Sequence, residues 1–156
     1  VRNVDIDTDI EMLIPDSYVS NIQERLTLYT ELDKIDAEED IVKFGNMLKD
    51  RFGTVPTQVN ELFDGLRIRT LAKKLGFERI VLKNRKMNSY FISNPQSIFF
   101  ETPTFQQIMQ YMSVTGHIRG LTMKQSNNHL IMSKENVKTL KEARGILEEI
   151  VSKIQL

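Results

Sequence analysis

The chain has 156 residues, 21 Lys and Arg, 21 Asp and Glu, a formal net charge of zero and no cysteine. A chain of this length buries roughly two-thirds of its unfolded surface, so it folds without disulfides or a structural metal. The neutral balance disfavours a nucleic-acid or membrane-surface module that binds by charge alone, and the missing cysteines exclude thiolate zinc sites and cysteine nucleophiles. Short apolar runs and an acidic first segment predict no membrane partner and a cytoplasmic location.

The first half of the sequence predicts an extended segment and two helices. Residues 3–15 alternate apolar and polar side chains, as an edge strand does, and their abrupt start is typical of a fragment of a longer protein. Ser20 and Gln23 have capping-box spacing, and Asp36 with Glu39 repeats the signal before a helix that ends at Gly53. The side chains expected in the core are Ile22, Leu26, Tyr29 and Leu32 in the first helix, and Ile41, Phe44, Leu48 and Phe52 in the second.

A third helix is predicted from Pro56 to Gly76, and its apolar residues form two stripes. The stripes are Val59, Leu62, Phe63 and Leu66, then Ile68, Leu71, Ala72 and Leu75. At about 100° per residue the two stripes lie on opposite faces of the helix. We therefore expect its first half to pack on the preceding helices and its second half on other elements.

The second half predicts a small sheet and two helices. Strands are expected at residues 78–84 and 89–94 around a turn at 84–88, with a hairpin across residues 126–128. A helix beginning at residues 102–104 is expected to bury Phe105, Ile108, Met109 and Met112, and Ser133 is expected to cap the last helix. The fold class is α+β: an N-terminal three-helix lobe followed by a mainly antiparallel sheet with two further helices.

No catalytic, cofactor-binding or metal-binding site is predicted. The turn "DRFGTVP" at residues 50–56 offers one glycine, whereas phosphate cradles need several, so we interpret it as a helix junction. His117 and His129 lie in different segments without a further ligand pattern. Mid-helix glycines at Gly45, Gly65 and Gly145 each cost about 1 kcal/mol relative to alanine, which indicates close packing or docking at those positions.

One basic cluster leaves an alternative open. Its residues are Arg67, Arg69, Lys73, Lys74, Arg79, Lys83, Arg85 and Lys86. A nucleic-acid face of this kind is conceivable on charge, although interleaved acidic residues favour an ordinary solvated face.

The residues that resemble a known family lie mainly in the first half. They are the start Pro15-Asp16-Ser17-Tyr18, the helix positions Arg25, Leu26 and Tyr29, the turn from Asp50 to Pro56, and "LAKKLGFERI" at residues 71–80. Together they resemble the C-terminal domain of the bacterial transcription-repair coupling factor. The resemblance covers nearly the whole chain, and it is specific before Asn84 and loose after it.

The resemblance implies a single regulatory domain over residues 1–156, with a helical part at about 16–76 and a sheet-plus-helix part at about 77–156. The parent protein would be an ATP- and Mg-dependent translocase on double-stranded DNA that couples transcription to nucleotide excision repair, with RNA polymerase and UvrA as partners. The domain itself would not be an enzyme and would need no cofactor. It would dock on the parent's N-terminal UvrB-like module and mask the surface that recruits UvrA.

The same resemblance implies candidate contact residues at the end of the second helix. Asp50 is the candidate for contacting basic residues of the N-terminal module, with Met47 and Arg51 beside it. Many relatives carry glutamate at the position of Met47. The contact in this chain is therefore expected to carry less charge and more apolar area.

Overall fold

A computed structural model describes residues 3–154 and divides the chain into two compact units. One unit comprises residues 11–67 and is called the helical unit below. The other comprises residues 3–10 and 68–154 and is called the sheet unit. The boundary between Arg67 and Ile68 falls inside the third helix.

The helical unit consists of α1 (Ile22–Leu32), α2 (Glu38–Phe52) and the first part of α3 (Thr57–Lys74). The apolar side chains that form its core are Ile14, Val19, Leu28, Leu32, Ile41, Phe44, Leu48, Val59, Phe63 and Leu66. The predicted face of α2 is confirmed, because Ile41, Phe44 and Leu48 are buried. Gly45 and Gly65 lie at close approaches, since an added Cβ would be 3.4 Å from Phe63 and 3.0 Å from Met12 Sδ.

The predicted face of α1 is wrong at two positions. Ile22 is 66% exposed and Leu26 is 54% exposed, whereas Leu28 is buried. The helix begins one residue later than predicted, because Asn21 rather than Ser20 caps it and accepts a 2.8 Å hydrogen bond from the Glu24 amide. Apolar residues occupy two faces of α1, so periodicity alone did not identify the buried one. The cap of α2 is also displaced: Ala37 stands at that position, not Asp36.

The two stripes of α3 are confirmed by the division of the chain. Val59, Phe63 and Leu66 belong to the core of the helical unit. Ile68, Ala72 and Leu75 are fully buried and belong to the sheet unit. One helix therefore supplies core residues to both units. Its apolar residues move to the opposite face of the helix at the boundary between the units.

The sheet unit contains a five-stranded sheet in the order β1-β2-β3-β5-β4. The strands are β1 (Asp5–Thr8), β2 (Phe77–Lys83), β3 (Lys86–Phe91), β4 (Thr122–Ser126) and β5 (His129–Lys134). Only the β1–β2 pair is parallel among these. Two helices complete the unit, α4 (Pro103–Tyr111), which continues into a π-helical turn at Met112–Gly116, and α5 (Leu140–Lys153). The α+β class with a mainly antiparallel sheet is confirmed.

Three local predictions in the sheet unit are corrected. The first turn is only two residues long, because Asn84 and Arg85 both adopt positive φ and Lys83 pairs directly with Lys86. Ser133 lies in β5 and donates a 2.6 Å hydrogen bond to Asn88, and Thr139 caps α5 instead. In α4, Tyr111 is buried and Met109 is 37% exposed.

The remaining local predictions have mixed outcomes. The hairpin over residues 126–128 is confirmed, with Asn127 and Asn128 at positive φ. The close packing expected at Gly145 is absent, since a Cβ there would meet no atom within 4 Å.

Candidate protein-docking site

The junction between α2 and α3 is built from contacts within the helical unit. Tyr18 Oη lies 2.8 Å from the Gly53 carbonyl oxygen and 3.1 Å from that of Leu48, so its one proton is shared by two carbonyl acceptors. The Gly53 carbonyl lies at the C-cap of α2, where a helix end leaves acceptors without intrahelical partners. The Tyr18 ring packs on Phe52 at 5.7 Å between centroids, and burial raises the pKa of the phenol. Tyr18 therefore fastens the segment before α1 to the end of α2.

Other residues of the family motif also make internal contacts. Arg25 donates a 2.7 Å hydrogen bond to the Val19 carbonyl, and Tyr29 Oη accepts a 2.7 Å hydrogen bond from the Ile14 amide. Gly53 has φ 92° and ψ −165°, a backbone conformation essentially restricted to glycine. The motif thus specifies a scaffold that ties residues 14–19 to the helices.

Arg51 and Met47 lie on the last turns of α2 and are partly engaged. Arg51 forms a 2.8 Å ion pair with Glu24 of α1, and its guanidinium lies 4.8 Å from the centroid of the Phe52 ring. A 3.7 Å contact joins Arg51 Nη1 to Met47 Sδ. Met47 is half-buried against the helical core. Both residues therefore shape the surface around Asp50.

Asp50 differs from Met47 and Arg51 because its side chain has no partner within the described residues. It is exposed on the last turn of α2, and its carboxylate forms no hydrogen bond or ion pair within residues 3–154. A carboxylate near a helix C-terminus also faces the negative end of the helix dipole, which disfavours it there. Asp50 thus contributes nothing visible to the scaffold and is available to a cationic partner.

The charge of the chain is divided between the two units. Residues 11–67 contain twelve Asp and Glu but six Lys and Arg, a net charge of −6. Residues 1–10 and 68–156 contain nine Asp and Glu but fifteen Lys and Arg, a net charge of +6. The formal net charge of zero is therefore the sum of two oppositely charged parts.

Four of the eight residues of the predicted basic face form ion pairs. Arg67 bonds both carboxylate oxygens of Glu38 and also Asp64, and the Glu38 bonds are the main cause that raises the Arg67 pKa. Arg79 and Lys83 both pair with Asp7. Hydrogen bonds from Lys83 and then Arg79 lower the pKa of that carboxyl group.

The other basic residues are placed differently. Lys86 Nζ lies 3.5 Å from Glu135 Oε1. Arg69, Lys73, Lys74 and Arg85 are exposed and form no ion pair in the part of the chain that the structure describes. These four are the members of the predicted basic face that remain for an anionic ligand.

A cavity of about 440 Å³ in the sheet unit holds a tyrosine–carboxylate pair. Tyr111 donates a 2.6 Å hydrogen bond to Glu149, which also pairs with Arg119 at 3.2 Å. Burial, followed by the bond to Glu149, raises the pKa of Tyr111 to about 12, and the bond from Tyr111 is the main cause that lowers the pKa of Glu149. At neutral pH the phenol keeps its proton and the carboxylate is ionised, so this pair joins α4 to α5 rather than exchanging protons near pH 7.

The histidines and acidic residues form no metal-binding constellation in the described part. His117 is exposed, and His129 lies 3.9 Å from Glu78 and edge-on to the Tyr90 ring. Within residues 3–154 no group of three or more His, Asp or Glu side chains is close enough to hold a metal ion. None of the helices described there has the length and apolar character that crossing a bilayer requires.

Comparison with known proteins identifies the family. The TRCF domain matches residues 8–101. A transcription-repair-coupling factor from Borreliella burgdorferi is 32% identical over 100 residues, which cover 64% of this chain and 9% of that protein. One from Staphylococcus epidermidis is 23% identical over 153 residues, which cover 94% of this chain and 13% of that protein. The chain thus spans a small part of the length of these relatives.

A solved structure shares the fold over nearly the whole chain. It is the crystal structure of a C-terminal domain of transcription-repair coupling factor. The match has a TM-score of 0.69 at 21% identity and covers 97% of this chain and 95% of the other. The fold agrees with the one that the sequence resemblance implied.

Proposed function

The chain belongs to the TRCF domain family, and we propose that it is the C-terminal regulatory domain of an ATP-dependent DNA translocase that couples transcription to nucleotide excision repair. In this proposal ATP and Mg²⁺ bind elsewhere in the parent protein, which also contacts RNA polymerase, UvrA and double-stranded DNA. The domain acts by covering a surface. It docks on the N-terminal UvrB-like module and prevents that module from recruiting UvrA.

The exposure of Asp50 is the observation that supports this proposal most strongly. The motif residues Tyr18, Arg25, Tyr29 and Arg51 are engaged inside the helical unit, whereas Asp50 is not. An exposed carboxylate on a unit of net charge −6 suits a basic partner surface and speeds association by electrostatic steering. A releasable clamp needs a coupling free energy of about 1–3 kcal/mol, which a few such contacts provide.

Competition tests the proposed masking. The N-terminal module is immobilised, UvrA binding is measured, and the 156-residue domain is added at increasing concentration. We expect the domain to reduce UvrA binding and the Asp50→Lys variant to require a higher concentration for the same effect. If UvrA and the domain bind the module together without competing, the masking proposal is contradicted.

A nucleic-acid accessory role is the second candidate, and the charge of +6 on residues 1–10 and 68–156 favours it. Arg69, Lys73, Lys74 and Arg85 are the cations most available for phosphates. A binder that uses several of them loses affinity steeply with salt. Titration of duplex DNA at low and moderate salt tests this role, and weak binding without a salt slope would contradict it.

A further inference from the structure

Strand β4 leaves one edge of the sheet open. It is the last strand in the order β1-β2-β3-β5-β4 and pairs only with β5 among the strands described. A two-residue turn at Asn127 and Asn128 makes Ser126 and His129 the closing hydrogen-bonded pair of the hairpin. Hydrogen-bonded and non-hydrogen-bonded pairs alternate along antiparallel strands. The backbone groups of Lys124 therefore also face β5, and those of Met123 and Gln125 face outward.

The outward backbone groups have no substitute partner. Neither Met123 nor Gln125 makes a backbone hydrogen bond to a turn, loop or cap within residues 3–154. Four of the five β4 residues are exposed and Met123 is half-buried, so most of the edge is accessible. An accessible row of unpaired N–H and C=O groups is a template on which another strand can add.

The two faces of this edge differ in chemistry. Lys124, at the centre of β4, is exposed and forms no ion pair among the described residues. Gln125, on the opposite face, lines a cavity of about 250 Å³ together with the polar Ser93 and Asn128 and the apolar Ile92, Pro95, Phe100 and Leu130. An added strand would therefore meet a positive charge on one face and a largely apolar cavity on the other.

We propose that β4 binds an extended segment of a partner protein in which acidic and apolar residues alternate. A carboxylate of the segment lies opposite Lys124, and an apolar side chain on the other face reaches the cavity beside Gln125. Opposite charges across a strand pair are favourable, and like charges directly opposite are unfavourable. For this reason one arrangement of a second copy of the chain is disfavoured, since two-fold pairing of β4 centred on Lys124 places two lysines against each other.

Amide hydrogen exchange with two synthetic peptides tests the proposal on the intact 156-residue chain. The probe is acetyl-Val-Glu-Val-Glu-Val-Thr-amide, and the matched control carries lysine in place of both glutamates. We expect millimolar probe to slow exchange of the Met123 and Gln125 amides at least tenfold, with little change from the control peptide. The variant Lys124→Glu should reverse the preference between the two peptides.

Two variants distinguish the edge from other sites on the same unit. Gln125→Pro removes an outward N–H without removing a bond to β5, so it should abolish protection by the probe. If it unfolds the hairpin, the reversal expected for Lys124→Glu still decides the question. The proposal is overturned if both amides are already protected without peptide, if neither peptide protects them, or if both peptides protect them equally.

Discussion

The helical unit and the sheet unit carry opposite net charges, and they differ in how specific their resemblance to the family is. In the helical unit, the motif side chains Tyr18 and Tyr29 bond to backbone groups 35 and 15 residues away, and Arg25 bonds to the backbone six residues before it. In the sheet unit, strands and helices follow from alternating or helical patterns that many sequences satisfy, and one sheet edge remains open. The resemblance to the family is therefore specific where the contacts demand particular side chains, and loose where apolar character is sufficient.

This contrast changes what a neutral chain implies. A net charge of zero disfavours a partner that binds by charge only if the charged residues are spread evenly along the chain. Charges of −6 on residues 11–67 and +6 on residues 1–10 and 68–156 allow one part of the chain to attract a basic surface and the other an acidic one. The boundary between the acidic and the basic part coincides with the change of stripe on α3. Counting charges separately on the two sides of the point between Leu66 and Ile68 would therefore have revealed the two opposite net charges from the sequence.

The largest expected effect concerns the core of the helical unit. Leu28→Ala should lower the free energy of unfolding by about 2–5 kcal/mol, because Leu28 is 2% exposed and a cavity would remain. Leu26→Ala on the same helix should change it by less than about 0.5 kcal/mol, because Leu26 is 54% exposed. Urea unfolding of the two variants measures the difference. Equal losses would contradict the assigned face of α1.

Two glycines of the sheet unit should respond in opposite directions. Gly76 has φ 81°, and an added Cβ would lie 2.2 Å from Phe99 Cζ, so Gly76→Ala should destabilise by about 1–3 kcal/mol. Gly145 lies inside α5 with no atom within 4 Å of an added Cβ, so Gly145→Ala should stabilise by up to about 1 kcal/mol. Thermal unfolding of both variants provides the measurement. A loss of stability in Gly145→Ala would mean that its surroundings are tighter than described.

Tyr18→Phe tests the scaffold at the α2–α3 junction. The change keeps the ring contact with Phe52 but removes the hydroxyl shared by the Leu48 and Gly53 carbonyls. We expect a loss of about 1 kcal/mol in the free energy of unfolding. Tyr90→Phe is the matched control in the sheet unit and should be nearly neutral, because no hydrogen bond of its hydroxyl is present within residues 3–154. Similar losses of unfolding free energy in the two variants would contradict the role of the Tyr18 hydroxyl in the scaffold.

The smallest expected effect is a pH dependence in the sheet unit. The pKa of Glu149 is lowered, so its contribution is present above its ordinary pKa of 4.5 and is lost as the pH falls through the folded value. The pKa of Tyr111 is raised from 10.0 to about 12, so its contribution is present below pH 10 and is lost as the pH rises towards 12. Tyr111→Phe should flatten both limbs of the stability curve measured by denaturant unfolding. A curve unchanged by this substitution would contradict the Tyr111–Glu149 bond.

The sequence predicted the elements better than their faces and ends. The stripe change on α3 was predictable because the two sets of apolar residues lie half a turn apart. The buried face of α1 was not, because Ile22 and Leu26 are as regularly spaced as Leu28 and Leu32. The helix is oriented by contacts that periodicity does not reveal, such as the cap at Asn21, the Arg25–Val19 bond and the Tyr29–Ile14 bond. The tight turn at Asn84 and Arg85 was missed because arginine is an unusual residue at positive φ.

The candidate site was predictable only in outline. The resemblance implied Asp50, Met47 and Arg51 as contact residues, and that role remains a prediction. What the sequence could not provide was the ion pair between Arg51 and Glu24, which depends on how α1 and α2 pack. That contact distinguishes the engaged Arg51 from Asp50, which has no partner among residues 3–154.

The most direct test of the account compares Asp50→Lys with Glu31→Lys in a titration against the N-terminal module. Both residues are exposed acids on the last turn of a helix in the helical unit, and both substitutions change its net charge from −6 to −4. The account predicts that Asp50→Lys weakens binding about tenfold, equivalent to about 1.4 kcal/mol, without lowering the free energy of unfolding, and that Glu31→Lys is nearly neutral for binding. Equal affinities for Asp50→Lys and the unsubstituted domain would contradict it.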